Sequence, residues 1–217
     1  MMYGGYRLND DGQMSWRVAH FMFPFWTQTP NNRFATRAIA RAWVPMDDEH
    51  SMLFDMTGGV DEGNPAYKSR FKTGELLFDK FDYVPNGTGW FERWRCVDDQ
   101  VNDWGIDRET QRNGKQFTGI ANITIQDQAI TESMGPITDH GFENLAPSDA
   151  MIARTRRRLL AASRELREDG TVPPGVEDPA TFYRARAGSF LHDPADNLDD
   201  AYRAALKSAI RWPVAPE

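Results

Sequence analysis

The 217-residue sequence contains only one cysteine, Cys96. A single cysteine cannot form an internal disulfide, and it excludes a cysteine-ligated zinc or iron–sulfur site built from this chain alone. A lone thiol is also typical of proteins from a reducing compartment. We therefore expect a cytoplasmic protein whose stability comes from its hydrophobic core.

Long apolar runs are missing as well. No stretch approaches the roughly 18 consecutive apolar residues of a membrane-spanning helix. The first residues, MMYGGYRLNDDGQ, lack the basic and then apolar pattern of a secretory signal. The net charge of −7 disfavours a nucleic-acid surface. The sequence therefore predicts a protein without membrane or nucleic-acid partners.

The four histidines do not form a recognisable metal or catalytic motif. His20, His50, His140 and His192 are far apart in the sequence, and no H-E-x-x-H occurs. Neither a nucleophile elbow nor a glycine-rich phosphate loop is present. We expect His20 to be a core histidine in an apolar strand, and the other three to lie in turns or loops facing solvent.

The first half of the chain has the composition of a β-sheet. The segments SWRVAHFMFPFWTQ, RAIARAWVPMDD and SMLFDMT are rich in aromatic and branched residues, and turn-forming residues separate them. These segments predict an antiparallel sheet over residues 15–94 with both faces covered. The stretch from Thr57 to Gly89 is rich in glycine and proline, so we expect it to be an excursion outside the sheet.

The second half is predicted to be helical. A long helix is expected over about residues 148–168, with Ser148 as its N-cap and Gly170 as its stop. It would extend for about 30 Å, long enough to lie across a curved sheet. Its apolar stripe comprises Met151, Thr155, Leu159, Ala162 and Leu166. Beyond it, residues 171–217 predict a connector, a short helix around Tyr202 to Ile210 and a tail.

A second helix, over about residues 119–134, has a carboxylate on its apolar side. Asp127 falls on the helical stripe formed by Ile120, Ile123, Ile130 and Met134. A buried and unpaired carboxylate is unfavourable by several kcal/mol, so an inward Asp127 needs a cation, hydrogen-bond donors or a raised pKa. The alternative is a slight rotation of the helix that leaves Asp127 exposed, and the pattern alone leaves both possibilities open.

Several motifs resemble a known family. The stretch 102–166 contains NDWGIDRETQR, QDQAITESMGPITD and SDAMIARTRRRLL, and WRVAHFMFPFWTQTP and ARAWVPMDDEHSMLF lie upstream. Together they resemble the C-terminal part of the catalytic domain of Rieske non-haem iron aromatic ring-hydroxylating oxygenase alpha subunits, of the phthalate 4,5-dioxygenase type. The resemblance covers roughly residues 15–170.

The resemblance implies both a fold and a reaction. The fold is α+β of the helix-grip (START/Bet v 1-like) type, a curved antiparallel sheet packed by the long C-terminal helix, with residues 1–170 as a partial catalytic domain. The activity is hydroxylation of an aromatic or related apolar substrate with O2 at mononuclear Fe(II). Asp127 is the implied metal ligand and catalytic residue, and Asn102 and Asp103 are weaker candidates near the site.

The sequence also departs from the family. The two iron histidines of the family lie in a D-x-x-H-x-x-x-x-H segment before the matched region, and the Rieske domain with its 2Fe–2S cluster precedes that segment. We expect neither in this chain, so the fold would be incomplete relative to the family and the chain alone inactive. His140 is not expected to replace a ligand. A complete subunit would work with a reductase and form a trimer-based homo-oligomer.

Two further functions stay open at this point. The shell could be a non-catalytic module that binds an apolar ligand in a cavity lined by Phe21, Phe23, Trp26 and Phe54. Alternatively, the chain could assemble with complete oxygenase subunits and modulate them.

Overall fold

The structure is a computed structural model that describes residues 1–30, 34, 38–58, 82–182 and 185–209. The described residues fall into two compact units. One contains residues from Met1–Asp61 and Asn144–Glu217, and the other contains residues from Glu62–Glu143. The first unit is built around a sheet, and the second carries the helix with Asp127. Within the described residues, no helix is both long and apolar enough to cross a bilayer.

The first unit contains an antiparallel sheet of six strands, which confirms the predicted α+β class and sheet type. The strands are β1 (Met2–Leu8), β2 (Met14–Met22), β3 (Trp26–Gln28), β4 (Ala38–Pro45), β5 (Ser51–Gly58) and β6 (Gly188–His192). Their order is β1-β2-β3-β4-β5, and β6 pairs with the part of β2 that the short β3 leaves open.

The sheet differs from its predicted range of residues 15–94. It begins earlier, at β1, and it recruits β6 from the segment beyond residue 170, so this unit contains residues on both sides of 170. The apolar pattern of the sequence did not reveal β1, because the two glycines of this strand interrupt the alternation of apolar residues. Most of the predicted Thr57 to Gly89 excursion falls on residues 59–81, which lie outside the described residues. Residues 82–94 contribute one isolated β-bridge, between Tyr83 and Cys96.

One face of the sheet is covered by the last helix of the chain. Val18 on β2 is 3% exposed and forms a cluster with Phe34, against which pack Phe190 of β6 and the helical residues Tyr202, Ala205 and Leu206. These helical residues belong to Leu198–Ala209, the short helix predicted around Tyr202. The helix that packs on this cluster is therefore the short C-terminal one and not the long helix.

The long helix, Ala150–Asp169, confirms the predicted element and ends as expected at Gly170, which has a left-handed φ of 69°. Its start differs slightly, because Pro147–Asp149 form a 3-10 turn and Asp149 precedes the helix. Tyr3 lies on the sheet face opposite Val18, and its hydroxyl donates a hydrogen bond to the Ser148 carbonyl. This bond ties the start of the long helix to β1. Ala162 is its buried residue, whereas Leu166 is half exposed.

The second unit is assembled from short elements. Its described residues form the α-helices Arg108–Arg112 and Ile123–Glu132 and the 3-10 turns Trp90–Glu92, Gln100–Gly105 and His140–Phe142. In chain order we call the α-helices α1 (Arg108–Arg112), α2 (Ile123–Glu132), α3 (Ala150–Asp169) and α4 (Leu198–Ala209). A further 3-10 turn, Pro179–Phe182, belongs to the first unit.

Candidate metal site on helix α2

Helix α2 confirms the predicted helix around Asp127, with narrower bounds than 119–134. It begins after Asn122, whose side-chain oxygen accepts hydrogen bonds from the N–H groups of Thr124 and Ile125 at 2.8 and 3.1 Å. This is a standard N-cap, and it fixes where the helix starts. At the other end, Gly135 has a φ of 87°, a conformation that favours glycine and helps the chain leave the helix.

One face of α2 packs into the unit. Ile125 and Ala129 are buried in a cluster with Trp104 and Ile120. Beside them, the Trp104 indole N–H donates a hydrogen bond of 2.6 Å to Oε2 of Glu132, and Gln128 donates one of 2.6 Å to Oε1 of the same residue. The inner face of α2 is therefore fixed both by apolar contacts and by a half-buried carboxylate with two donors.

The opposite face carries Asp127 and is exposed. Ile123, Ile130 and Met134 lie on the same helical side as Asp127 and are 60%, 69% and 51% exposed. Within its own unit, Asp127 therefore lies on the outer face of α2, which corresponds to the rotated one of the two orientations that the sequence left open. The inner stripe is formed by Ile125, Ala129 and Glu132 instead. Ile120 is buried, but it precedes the helix and does not share its phase.

Within the described part of the chain, the Asp127 carboxylate forms no ion pair and accepts no hydrogen bond. The Asp127 backbone carbonyl accepts a hydrogen bond of 3.1 Å from the Thr131 hydroxyl. Across the same residues, no group of three or more His, Cys, Asp or Glu side chains is placed to hold a metal ion. The residues present therefore do not form an iron site by themselves. The role of Asp127 as an iron ligand stays a prediction.

Asn102 and Asp103, the weaker candidates, are engaged in local contacts. The Asn102 amide donates to the Val97 carbonyl at 2.8 Å, and its oxygen accepts the Asp99 N–H at 3.0 Å. Asp103 forms an exposed ion pair of 3.2 Å with Arg108. Both side chains therefore stabilise the local conformation of the Gln100–Gly105 turn.

That turn has an unusual backbone with a clear structural result. Asp103 and Trp104 have φ values of 57° and 52°, in the left-handed region that non-glycine residues rarely adopt. The conformation presents the Trp104 indole to Glu132 and to the buried cluster. Glu132 is thus the residue of this region that sequence reasoning missed. The signal for it was the i, i+4 pair of Gln128 and Glu132 on the side of α2 opposite Asp127.

Cys96 lies half-buried against the same cluster. Burial raises the pKa of its thiol, and the nearby carboxylates of Glu132, Asp98 and Asp99 raise it further. A thiol with a raised pKa is a weak nucleophile and a weak metal ligand at neutral pH. Cys96 therefore acts as a small apolar residue of this core.

Three of the histidines lie as predicted and one does not. Nε2 of His20 is 3.1 Å from the Arg186 carbonyl, as expected for a satisfied core histidine. His50 is bonded to Asp47 in the β4–β5 turn, and His140 lies in an exposed turn beside Glu143. His192 was predicted to face solvent, but it ends β6 and its Nε2 accepts the Trp16 indole N–H at 2.8 Å. The unrecognised strand explains this error.

Of the aromatic residues proposed for a ligand cavity, Phe21 and Phe23 contact each other with ring centroids 5.7 Å apart, but the four do not all converge. Phe21 and Met22 are neighbours on β2 and point to opposite faces, and Trp26 is paired with Met22. Trp26 and Phe54 share one face, whereas Phe21 lies on the other. Phe54 is also 52% exposed. In the described residues, these aromatic side chains do not line one common apolar cavity, as the binding-module alternative requires.

Comparison with known proteins relates the chain to the catalytic C-terminal segments of ring-hydroxylating oxygenase subunits, which confirms the resemblance. The chain belongs to the family described as LigXa C-terminal domain like, which matches residues 8–187. It is 44% identical over 199 residues to the 3-chlorobenzoate-3,4-dioxygenase oxygenase subunit of Comamonas testosteroni, covering 90% of this chain and 46% of that protein.

Two more distant relatives have related names. The phthalate 4,5-dioxygenase oxygenase subunit of Pseudomonas putida is 32% identical over 133 residues, which are 61% of this chain and 28% of that protein. The tert-butanol monooxygenase / tert-amyl alcohol desaturase oxygenase subunit of Aquincola tertiaricarbonis is 30% identical over 191 residues, which are 85% of this chain and 32% of that protein. The chain thus spans less than half the length of each relative.

Proposed function

We propose that this chain supplies Asp127 as the carboxylate ligand of a mononuclear Fe(II) centre in a ring-hydroxylating oxygenase. The observation that carries this proposal is the outer face of α2, where an unpaired carboxylate stands among exposed apolar side chains. A solvated helix face is normally polar, so this surface has the composition of one covered by further polypeptide. The fixed inner face of α2 holds Asp127 in place for such a contact.

The chain alone is then expected to be inactive and to bind ferrous iron weakly. One carboxylate is a poor site, because this class of iron centre uses two histidines and one carboxylate with open positions. The histidines would come from the D-x-x-H-x-x-x-x-H segment of the complete subunit. Its Rieske domain would hold the 2Fe–2S cluster and receive electrons from a reductase.

The proposed substrate is an aromatic acid or a related apolar compound, oxidised with O2. The support is the names of the relatives, two of which are dioxygenase subunits for 3-chlorobenzoate and phthalate. The lone and unpaired cysteine supports a cytoplasmic location. The trimer-based assembly of the complete subunit is carried over from the family resemblance.

The test is a chimera in which the N-terminal part of the Comamonas testosteroni subunit precedes this chain. We expect it to bind about one mononuclear iron besides its cluster and to oxidise 3-chlorobenzoate with a reductase. Asp127→Ala should lower both the affinity for the mononuclear iron and turnover by about 100-fold or more, since removing a ligand should cost at least as much as removing an outer-shell partner of one.

Asp139→Ala is the matched control. Asp139 is another carboxylate of the same unit, and it caps the 3-10 turn by accepting the Gly141 N–H at 2.7 Å. Its loss should leave iron content and turnover within about twofold, because its hydrogen bond is local to a turn beyond α2 and it is not the proposed metal ligand. Full iron content and activity in the Asp127→Ala chimera would overturn the proposal.

A further inference from the structure

Strand β1 stands at one end of the strand order that the described residues form. It pairs with β2 in one unbroken antiparallel register from Met2 opposite His20 to Leu8 opposite Met14, and in the described part of the chain it has no neighbour on its other side. The usual protections of an edge are missing from it, since it contains no proline, lysine or bulge, and Arg7 is its one charged residue. Met2, Tyr6 and Leu8 are also exposed.

The direction of each main-chain group in β1 follows from the pair just before the strand, Met1 and Phe21. Met1 and Phe21 exchange both of their main-chain bonds, so Met1 and Phe21 form a hydrogen-bonded pair. Hydrogen-bonded and non-hydrogen-bonded pairs alternate along an antiparallel ladder. The N–H and C=O groups of Met2, Gly4, Tyr6 and Leu8 therefore point away from β2, and no partner for them lies among the residues described.

We propose that β1 pairs with β1 of a second copy of this chain, antiparallel and about a two-fold axis at Gly5. In this register Met2 faces Leu8 of the other copy and Gly4 faces its Tyr6. The outward main-chain groups of Met2 lie opposite those of Leu8 in the other copy. The register that pairs the full length of both strands is therefore also a register in which outward N–H and C=O groups face each other. Four hydrogen-bonded pairs, with two bonds in each, give eight intermolecular bonds.

The side chains are also complementary in this register. The exposed Met2 and Leu8 face each other, and Tyr6, whose ring packs on Trp16 of its own chain, faces Gly4 of the second copy, which has no side chain to oppose it. On the other face, Arg7 lies opposite Tyr3, an arrangement that favours a cation–π contact and keeps the two arginines apart. Shifting the strands by two residues would leave Arg7 and Leu8, or Met2 and Tyr3, without a facing residue within the strand.

The proposed contact lies almost entirely outside the residues that the family model matches. The family match covers residues 8–187, so it includes only the last residue of β1. The contact is isologous, using the same strand from both copies, and it therefore makes pairs. It is distinct from any threefold assembly of a complete subunit.

The first test is the association state of the purified chain. Light scattering should give a dimer, twice the 24.7 kDa mass of one chain. Tyr6→Pro removes an outward N–H from each copy but none that β2 uses, so the dimer dissociation constant should rise at least about tenfold relative to Tyr6→Ala. Tyr6→Ala is the matched control, because it removes the same ring and keeps the donor.

The second test measures the register itself. Gly5 has open space where a Cβ would lie, and facing residues of a non-hydrogen-bonded pair are about 4.5 Å apart between Cα atoms, within disulfide range. In a Cys96→Ser background, mild oxidation should link two copies of Gly5→Cys. Arg7→Cys should not link to itself, because its two copies are displaced by four residues, or about 13 Å.

A mixture of Tyr3→Cys and Arg7→Cys chains should instead form a mixed disulfide, which gives an independent reading if Gly5→Cys fails to fold. A monomeric unaltered chain would overturn the proposal. So would a dimer that Tyr6→Pro leaves intact, or Arg7→Cys linking to itself as readily as Gly5→Cys does.

Discussion

The two units of this chain are held together over very different distances along the sequence. In the sheet unit, Trp16 is bonded to His192, His20 to Arg186 and Tyr3 to Ser148. In the unit of residues 82–143, side chains such as Asp99, Asp107 and Asn122 accept hydrogen bonds from N–H groups two or three residues away. The sheet unit depends on distant segments meeting, whereas the second unit is a series of locally capped turns.

The two units also differ in how their apolar residues are used. The sheet unit buries Val18, Met22, Ile39 and Ala42 along its strands. In the second unit, the residues that the structure describes form a small buried cluster around Trp104 and leave many apolar residues exposed, among them Trp90, Trp94, Val101, Phe117 and Ile130. Among the described residues, the candidate ligand Asp127 thus lies on a helix whose opposite face packs into this small cluster.

The largest expected effect is from Trp104→Ala. It removes the centre of the buried cluster and the donor to Glu132, so we expect the second unit to lose about 3–5 kcal/mol. Hydrogen exchange should then accelerate in α2 and in the Gln100–Gly105 turn, while β2 and β4 keep their protection. Trp90→Ala is the control, because Trp90 is 66% exposed and its loss should change stability by about 0.5 kcal/mol or less. Equal loss of protection in the strands would contradict the division into two units.

A comparison of two isoleucines on α2 should show a smaller but sharper difference. Ile125 is 3% exposed and Ile130 is 69% exposed, so Ile125→Ala should cost about 2–4 kcal/mol. Ile130→Ala should cost about 0.5 kcal/mol or less, within the range of surface substitutions. Urea denaturation of both variants measures the difference. The reverse order would mean that Asp127 faces inward after all.

These contrasts also explain which features could be predicted from sequence. The strands β2, β4 and β5, the long helix with its Gly170 stop and the helix around Asp127 all carry strong local signals. The strands β1 and β6 do not, because one contains two glycines and the other is a short run that becomes a strand only by pairing with β2. The packing helix α4 was recognised as a helix, but its place on the sheet depends on the same long-range pairing.

The orientation of Asp127 illustrates the limit for the site. Its stripe is the most regular apolar pattern of α2, and a regular stripe normally marks the buried face. Here the inner face is chosen by the Trp104 to Glu132 contact, which requires left-handed residues in a distant turn. The family resemblance identified the residue, but no periodicity could show which face the rest of this chain covers.

The smallest expected effect is the pH dependence that His20 gives to the sheet unit. Burial lowers the pKa of His20 below its ordinary value of about 6.5, the hydrogen bond to the Arg186 carbonyl raises it in part, and the nearby N-terminal ammonium lowers it. Its neighbours are Met2 and Gln28 on the paired strands and Tyr202 of α4, whose hydroxyl is 3.4 Å from Nε2.

Because the folded pKa is depressed, the unfolded chain binds more protons than the folded one as pH falls below about 6.5. The contribution of neutral His20 is therefore complete above that pH and is lost progressively below it. His20→Gln keeps a donor for the Arg186 carbonyl but cannot titrate, so its urea midpoint should fall less between pH 7.5 and 5.5 than that of the unaltered chain. If His20→Gln keeps the pH dependence of the unaltered chain, neutral His20 is not the source of that dependence.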